Sequence, residues 1–325
     1  MPNSFTIWSN AGFPPAVLEV LKQGVAQHRL IFAQQTNASN LAAGGPDPTL
    51  SQADIAFGQP DPRQIIDLPN IKWVHLTTAG YTRYDTAEFR AAMKSRGGMF
   101  TNSSTVFAEP CAEHLLAMIL SLARQLPAAL DSQRQDASWK IKELRSQSRL
   151  LENQTAILYG MGAIANRLIE LLTPLRMKLT GVRRKIRGDE PIPTLTPNEA
   201  DEILPIADHV LDILPSSTAT DGFFNAARFA RMKQGAIFYN IGRGTTVDQD
   251  ALLASLESRH LGGAYLDVTT PEPLPLAHAL WKAPNCYITP HTAGGHANEA
   301  ERTVGHFLAN LRRYENDEEM VDLVE

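Results

Sequence analysis

From Thr155 onward the chain alternates short apolar runs with segments whose apolar residues recur at helical spacing. The runs Thr155–Tyr159, Lys178–Val182, His209–Leu214, Ala236–Asn240, Gly263–Val268 and Cys286–Thr289 predict strands. Their starts lie roughly 23–31 residues apart, close to the length of a βα unit. Runs such as AILY and AIFYN are apolar almost throughout, as strands covered on both faces must be. Six such strands predict an α/β, doubly wound parallel sheet of the Rossmann kind that binds dinucleotides.

The first hundred residues carry a weaker form of the same alternation. Phe5–Trp8, Leu30–Ala33, Ile55–Phe57 and Trp73–Leu76 predict strands, and Pro14–Gly24 and Arg83–Arg96 predict helices, with Gly97 and Gly98 as a stop. Long amphipathic segments at Glu109–Leu126 and Asn298–Tyr314 flank the six-strand region. The last of these is too isolated to form a domain, so it is expected to pack back on the N-terminal part. The expected division is therefore residues 1–102 with 293–325 as a smaller, discontinuous α/β substrate domain, and 103–292 as the dinucleotide domain. Pro127–Asn153, polar apart from a few residues such as Trp139, is expected to form an irregular arm.

Composition narrows the class. A chain of 325 residues, 43% hydrophobic and 20% charged, suits two ordinary globular domains. A formal charge of -5 gives no general attraction to nucleic acid or anionic membrane, and neither partner is expected. Met1–Asn10 carries no leader pattern, and the apolar run Leu115–Ala123 is about half a bilayer's thickness. A cytoplasmic enzyme is the expectation. Cys111 and Cys286 sit among apolar residues and read as buried thiols, and no metal-ligand spacing occurs.

Four places carry chemistry. Gly160-Met161-Gly162-Ala163-Ile164-Ala165 follows the strand TAILY and opens a helix. Its glycines permit a tight turn and close approach of a pyrophosphate to backbone N–H groups. Past the next strand, Arg183, Arg184 and Lys185 stand where an NAD site usually has an acidic residue. Guanidinium groups there match a 2′-phosphate, so NADP(H) is favoured over NAD(H), against the alternative of a solvated basic loop. Arg243, between Gly242 and Gly244 at a strand end, can clamp a carboxylate, or else form a structural salt bridge. Glu272 is stiffened by prolines on both sides, and His291 follows the sixth strand. Histidine is the natural proton donor near neutral pH, and a carboxylate beside it favours the imidazolium.

These motifs, with TNSSTVFAEPCAEHLLAMILSLAR, ILPSSTATDGFF, MKQGAIFYNIGRGTTVDQDALLASLESRHLGGAYLDV, EPLP, HALW and ITPH, resemble the D-isomer-specific 2-hydroxyacid dehydrogenases from about Trp73 to Asn310. The resemblance implies that the substrate domain is flavodoxin-like. It implies that Arg243 binds the carboxylate and polarises the 2-oxo group, that His291 is the acid–base residue, and that Glu272 orients and charges it. It places backbone amides of Ala79, Gly80 and Tyr81 on the substrate carboxylate. Ala163 and Ile164 would lie under the pyrophosphate, Pro215 and Thr220 near the adenosine, and Ile241, Gly242 and Asp267 beside the nicotinamide, with Gly294 and His291 completing the cofactor site. It further implies a small 2-oxo acid substrate and a homodimer formed through Glu109–Leu126 and the arm around Trp139. Ala163 departs from the arginine common in that turn, and the basic Arg183–Lys185 resembles the NADPH-using glyoxylate and hydroxypyruvate reductases. Two alternatives stay open: a non-catalytic dinucleotide sensor of the same superfamily, and a dehydrogenase of a phosphorylated hydroxy acid.

Overall fold

The structure is a computed structural model that describes residues 4–37 and 44–324; Met1–Asn3, part of the segment read for a leader, lie outside them. The chain divides into two compact units, Met1–Phe107 with Gly295–Glu325, and Ala108–Gly294.

The first unit contains β1 (Thr6–Ala11), α1 (Pro15–Gly24), β2 (Arg29–Asn37), β3 (Ile55–Gly58), α2 (Pro62–Asp67), β4 (Trp73–Leu76), α3 (Ala87–Ser95) and β5 (Met99–Thr101). Its five strands are parallel, in the order β2-β1-β3-β4-β5, the flavodoxin-like arrangement. Alternate residues face opposite sides, as the strand period of two demands. Ile7, Ile55, Phe57 and Trp73 join one core with Val17 and Leu21 of α1, while Trp8, Ala56, Val74 and Leu76 join another. The C-terminal helix, Glu299–Glu315, completes the first of these cores through Val304, Phe307 and Leu311. Phe307 stacks on Phe57 with ring centroids 4.1 Å apart and on Trp73 at 5.2 Å. Thr86 accepts from Phe89 N at the start of α3, so the predicted helix at Arg83 begins later, after a 3₁₀ turn at Thr82–Tyr84.

α4 (Ser104–Ala123) starts in the first unit and runs into the second. It is long and apolar enough to cross a membrane by length and composition, yet Ala112, Leu115 and Ile119 have no exposed surface. The stretch expected to be irregular contains two helices, α5 (Leu126–Gln135) and α6 (Ile141–Gln147). Their apolar residues are too sparse to make a periodic signal: Trp139 is 89% exposed, and no residue of α6 is buried.

The second unit continues with β6 (Thr155–Tyr159), α7 (Ala163–Leu172), β7 (Lys178–Val182), β8 (Thr194–Leu195), α8 (Pro197–Ile203), β9 (His209–Asp212), α9 (Ala226–Arg231), β10 (Ile237–Asn240), α10 (Gln249–Glu257), β11 (Gly263–Leu266) and β12 (Cys286–Ile288). The sheet has seven parallel strands, ordered β12-β11-β10-β9-β6-β7-β8, one more than the apolar runs predict. β8 is a two-residue edge strand, too short to leave a pattern. The order reverses about β6, so the carboxyl ends of β6 and β9 flank the switch point where such sheets bind ligands.

Candidate active site

The glycine turn after β6 is built for close approach. Gly160 has φ +100°, and a Cβ there would stand 2.7 Å from the Ile213 carbonyl oxygen. Gly162 is the N-cap of α7, and a Cβ on it would meet nothing within 4 Å. The N–H groups of Ala163 and Ile164, at the head of the helix, have no acceptor among the described residues. These donors and the positive helix end fit a pyrophosphate. Met161 turns inward instead, its Sδ covering the spot where a Gly181 side chain would stand.

The basic loop after β7 is less uniform than its sequence. Arg183 Nη1 lies 3.1 Å from Glu190 Oε1, with both side chains largely buried. Glu190 also accepts from Arg187 N at 2.7 Å and Gly188 N at 2.8 Å. The Arg187 N–H above all, with those of Gly188 and the Arg183 guanidinium, holds this carboxyl at about 2. Arg184 is exposed and makes no ion pair among the described residues. On the neighbouring loop, Thr220 Oγ1 donates to Pro215 O at 2.6 Å and accepts from Ser217 N at 2.9 Å, fastening the turn after β9. Ile241 is buried, and its N–H donates to Asp212 O at 3.1 Å.

Arg243 follows β10. Asn240 Oδ1 accepts from Gly242 N at 2.8 Å, and Asn240 Nδ2 donates to Arg243 O at 3.0 Å. The flanking glycines are required by packing: a Cβ on Gly242 would come 2.5 Å from Leu214 O, and one on Gly244 would collide with the Thr269 backbone. The guanidinium donates from Nη1 to Gly242 O at 2.6 Å and makes no ion pair among the described residues, so the structural salt bridge is not what occupies it. Burial pulls its pKa below the ordinary arginine value, while the charge of Glu272 acts the other way.

Glu272 and His291 meet, with His291 Nδ1 2.8 Å from Glu272 Oε2. Thr269 N donates to the other oxygen, Oε1, at 3.1 Å. Burial pushes this carboxyl up, but the His291 hydrogen bond and charge, the Thr269 N–H and Arg243 outweigh it, leaving it below the ordinary glutamate value. His291 has φ +53°, a left-handed conformation unusual outside glycine, and its N–H donates to Asp267 O at 2.9 Å. Asp267 is nearly buried; Oδ1 accepts from Thr289 Oγ1 at 2.5 Å and Thr292 N at 2.9 Å, and Oδ2 from Ala293 N at 3.0 Å. Its carboxylate thus shapes the loop that presents His291. Burial, above all, pushes the thiols of Cys111 and Cys286 up to about 12, which keeps both neutral, and both are free cysteines.

In the first unit, the loop after β4 carries Ala79, Gly80 and Tyr81. Thr78 Oγ1 donates to Gly80 O at 2.8 Å and Asn102 Nδ2 to Ala79 O at 2.7 Å. With the carbonyls held, the N–H groups of these three residues have no acceptor among the described residues.

Sequence reading passes over Glu190, Asn240, Asp212 and Thr246. Only Asn240 had a visible signal, a polar residue ending an apolar strand. Residues 116–293 match the NAD-binding domain of the D-isomer specific 2-hydroxyacid dehydrogenases. Glyoxylate/hydroxypyruvate reductase B of Citrobacter koseri is 31% identical over 229 residues, covering 69% of this chain and 68% of that protein. The human glyoxylate reductase/hydroxypyruvate reductase is 31% identical over 227 residues, 67% of each chain. The D-isomer specific 2-hydroxyacid dehydrogenase of Xanthobacter autotrophicus, solved with NADPH and MES, superposes with a TM-score of 0.80 at 23% identity, covering 99% of this chain and 98% of that one. This chain belongs to the D-isomer specific 2-hydroxyacid dehydrogenases and is an oxidoreductase of that family.

Proposed function

We propose that the enzyme reduces a small 2-oxo acid, of the glyoxylate or hydroxypyruvate kind, to the D-2-hydroxy acid with NADP(H) preferred over NAD(H). The observation that carries this reading is the Glu272–His291 hydrogen bond of 2.8 Å, a proton donor held by a carboxylate at the carboxyl edge of the sheet. The glycine turn, with its unpartnered Ala163 and Ile164 N–H groups, holds the cofactor pyrophosphate. When bound, the nicotinamide supplies the hydride that reduces the 2-oxo carbon.

Arg243 clamps the substrate carboxylate and polarises the oxo group, because its guanidinium is largely desolvated and makes no ion pair among the described residues. In the first unit, the N–H groups of Ala79, Gly80 and Tyr81, without an acceptor among the described residues, are donors suited to a carboxylate. His291 Nε2, the nitrogen that Glu272 does not engage, delivers a proton to the developing alkoxide. Glu272 orients the ring and stabilises its charged form. Steady-state kinetics with a panel of 2-oxo acids and both dinucleotides tests this reading. Turnover with glyoxylate or hydroxypyruvate is expected, and no turnover with any 2-oxo acid sinks it in favour of a dinucleotide sensor.

Cofactor choice follows from the basic loop. Removing both guanidiniums, Arg183→Ser with Arg184→Ser, is expected to cut kcat/KM for NADPH by about 10–100-fold, the value of one or two charge-assisted hydrogen bonds. NADH use stays nearly unchanged. Equal losses with the two cofactors would mean that the loop does not read the 2′-phosphate.

Assembly is read from the surface. Leu126, Leu130, Trp139 and Ile141 are each about half exposed or more, on or between two helices with little core of their own. We assign this face to a two-fold homodimer. Sedimentation at micromolar concentration is expected to give a dimer, and Trp139→Ser with Leu130→Ser is expected to weaken it.

A further inference from the structure

Asp212 ends β9 with no exposed surface and makes no ion pair among the described residues. Its oxygens are differently engaged. Oδ1 accepts from Leu214 N at 3.0 Å, whereas Oδ2 lies 2.5 Å from Thr246 Oγ1. The same Thr246 oxygen is 2.6 Å from the carbonyl oxygen of Arg243. A hydroxyl has a single proton, so it can donate to one of these two oxygens and not to both. With an ionised Asp212, one of the two short contacts would set lone pair against lone pair in a dry interior, which is costly. One additional proton satisfies every atom: Asp212 Oδ2–H donates to Thr246 Oγ1, Thr246 Oγ1–H donates to Arg243 O, and Asp212 Oδ1 accepts from Leu214 N.

We infer that Asp212 works as a neutral carboxylic acid and, through Thr246, is a positioning residue for the backbone that carries Arg243. The Arg243 carbonyl receives two other donors, Asn240 Nδ2 at 3.0 Å and Thr246 N at 3.2 Å, so the relay completes a cage around it. Through Leu214 N the same carboxyl also ties down the loop after β9, whose backbone would touch any side chain on Gly242. The two loops that meet at the carboxyl edge of the sheet therefore share one buried acid.

The surroundings agree with a protonated group. Burial pushes the Asp212 carboxyl up to about 7, against the pull of the Thr246 and Leu214 hydrogen bonds. Its neighbours in register are Tyr159 on β6 and Asn240 on β10. Burial keeps the Tyr159 phenol neutral, and Asn240 carries no charge. Asp201 of α8 and Arg228 and Arg231 of α9 act on Tyr159 rather than on Asp212. The Arg243 guanidinium is turned to Gly242 O, and the charge that acts on it is that of Glu272.

The test compares D212N, D212L and T246V with the wild type. Asparagine reproduces the acid's pattern, one acceptor and one donor, so D212N is expected to keep kcat/KM within about threefold while D212L and T246V raise KM for the oxo acid by about 10-fold with a smaller change in kcat. Infrared spectra at pH 6 are expected to show a buried protonated-carboxyl stretch in the wild type that D212N lacks and T246V shifts. Because the folded-state value lies above the unfolded one, the acid's contribution to stability is full at low pH and is lost as pH rises through about 7. The melting temperature of the wild type relative to D212N is therefore expected to fall between about pH 4 and pH 7 and to level off above. Absence of the carboxyl band at pH 6, or D212N as impaired as D212L, would overturn the inference. Its link to substrate binding rests on the proposed role of Arg243. The spectra and melting curves do not, so a wrong substrate assignment would leave them intact. If D212N does not fold, the shift of the wild-type band in T246V decides alone.

Discussion

Replacing Arg243 with alanine is expected to lower kcat/KM for the 2-oxo acid by about 10²–10³-fold, the usual loss when a preorganised donor to a developing oxyanion is removed. The size of the effect comes from where the charge sits. The guanidinium is largely desolvated and makes no ion pair among the described residues, so its attraction for a substrate carboxylate is not already spent. Glu272 is near enough for its charge to favour the protonated guanidinium, but their separation exceeds that of an ion pair. Arg243→Lys keeps the charge and loses the planar fork, so it is expected to recover only part of the activity. Both KM and kcat are expected to change, because in the proposed mechanism the same group binds the carboxylate and polarises the oxo group. An alanine variant with kcat/KM within a few-fold of the wild type would remove Arg243 from the site and leave the loop's geometry without a catalytic purpose.

How much of this was legible in the chain depends on which forces leave a periodic trace. Strands buried on both faces must be apolar along almost their whole length, so β6 is visible to the residue, and the partly exposed β7 also coincides with its run. The last strands are visible apart from their ends, where polar or loop residues such as Thr289 extend the apolar run. β8 escapes because two residues at an edge bury almost nothing. α5 and α6 escape for a related reason: their apolar side chains face outward in a single chain, so no stripe of core positions marks them. In the site, Arg243, Glu272 and His291 stand out because each follows a strand in a segment rich in glycine or proline. The residues that hold them do not. Asp267 reads as a strand-end acid, and its service to Thr289, Thr292 and Ala293 appears only when the chain has folded. Likewise, the run RRK suggests three equivalent cations, but Glu190, seven residues beyond Arg183, engages one of them across the loop.

The pairing of Glu272 with His291 gives the sharpest test of mechanism. In the proposed mechanism a protonated imidazole hands its proton to the alkoxide, so the rate of reduction is expected to fall as pH rises and the ring loses that proton. The carboxylate, 2.8 Å from Nδ1, attracts the charged form of the ring. The attraction is visible from the other partner, because the His291 hydrogen bond and charge help to hold Glu272 below its ordinary value despite burial. A carboxyl depressed in the folded state, as Glu272 is, stabilises the fold above its unfolded value, and that contribution is lost as pH falls through the folded one. For catalysis the consequence lies at the other end of the scale. Glu272→Gln keeps the shape and removes the charge beside the ring, so the alkaline limb of kcat/KM is expected to move to lower pH. His291→Asn is expected to remove that limb and to cut turnover by about 10²–10⁴-fold at every pH, the contribution general acid catalysis usually makes. Binding of the dinucleotide, followed by fluorescence quenching, is expected to survive both changes largely intact, since the proposed pyrophosphate site lies at the head of α7. A Glu272→Gln profile that superposes on the wild type would mean that the two residues are neighbours without being coupled. Proton delivery would then have to be sought from a group other than this pair.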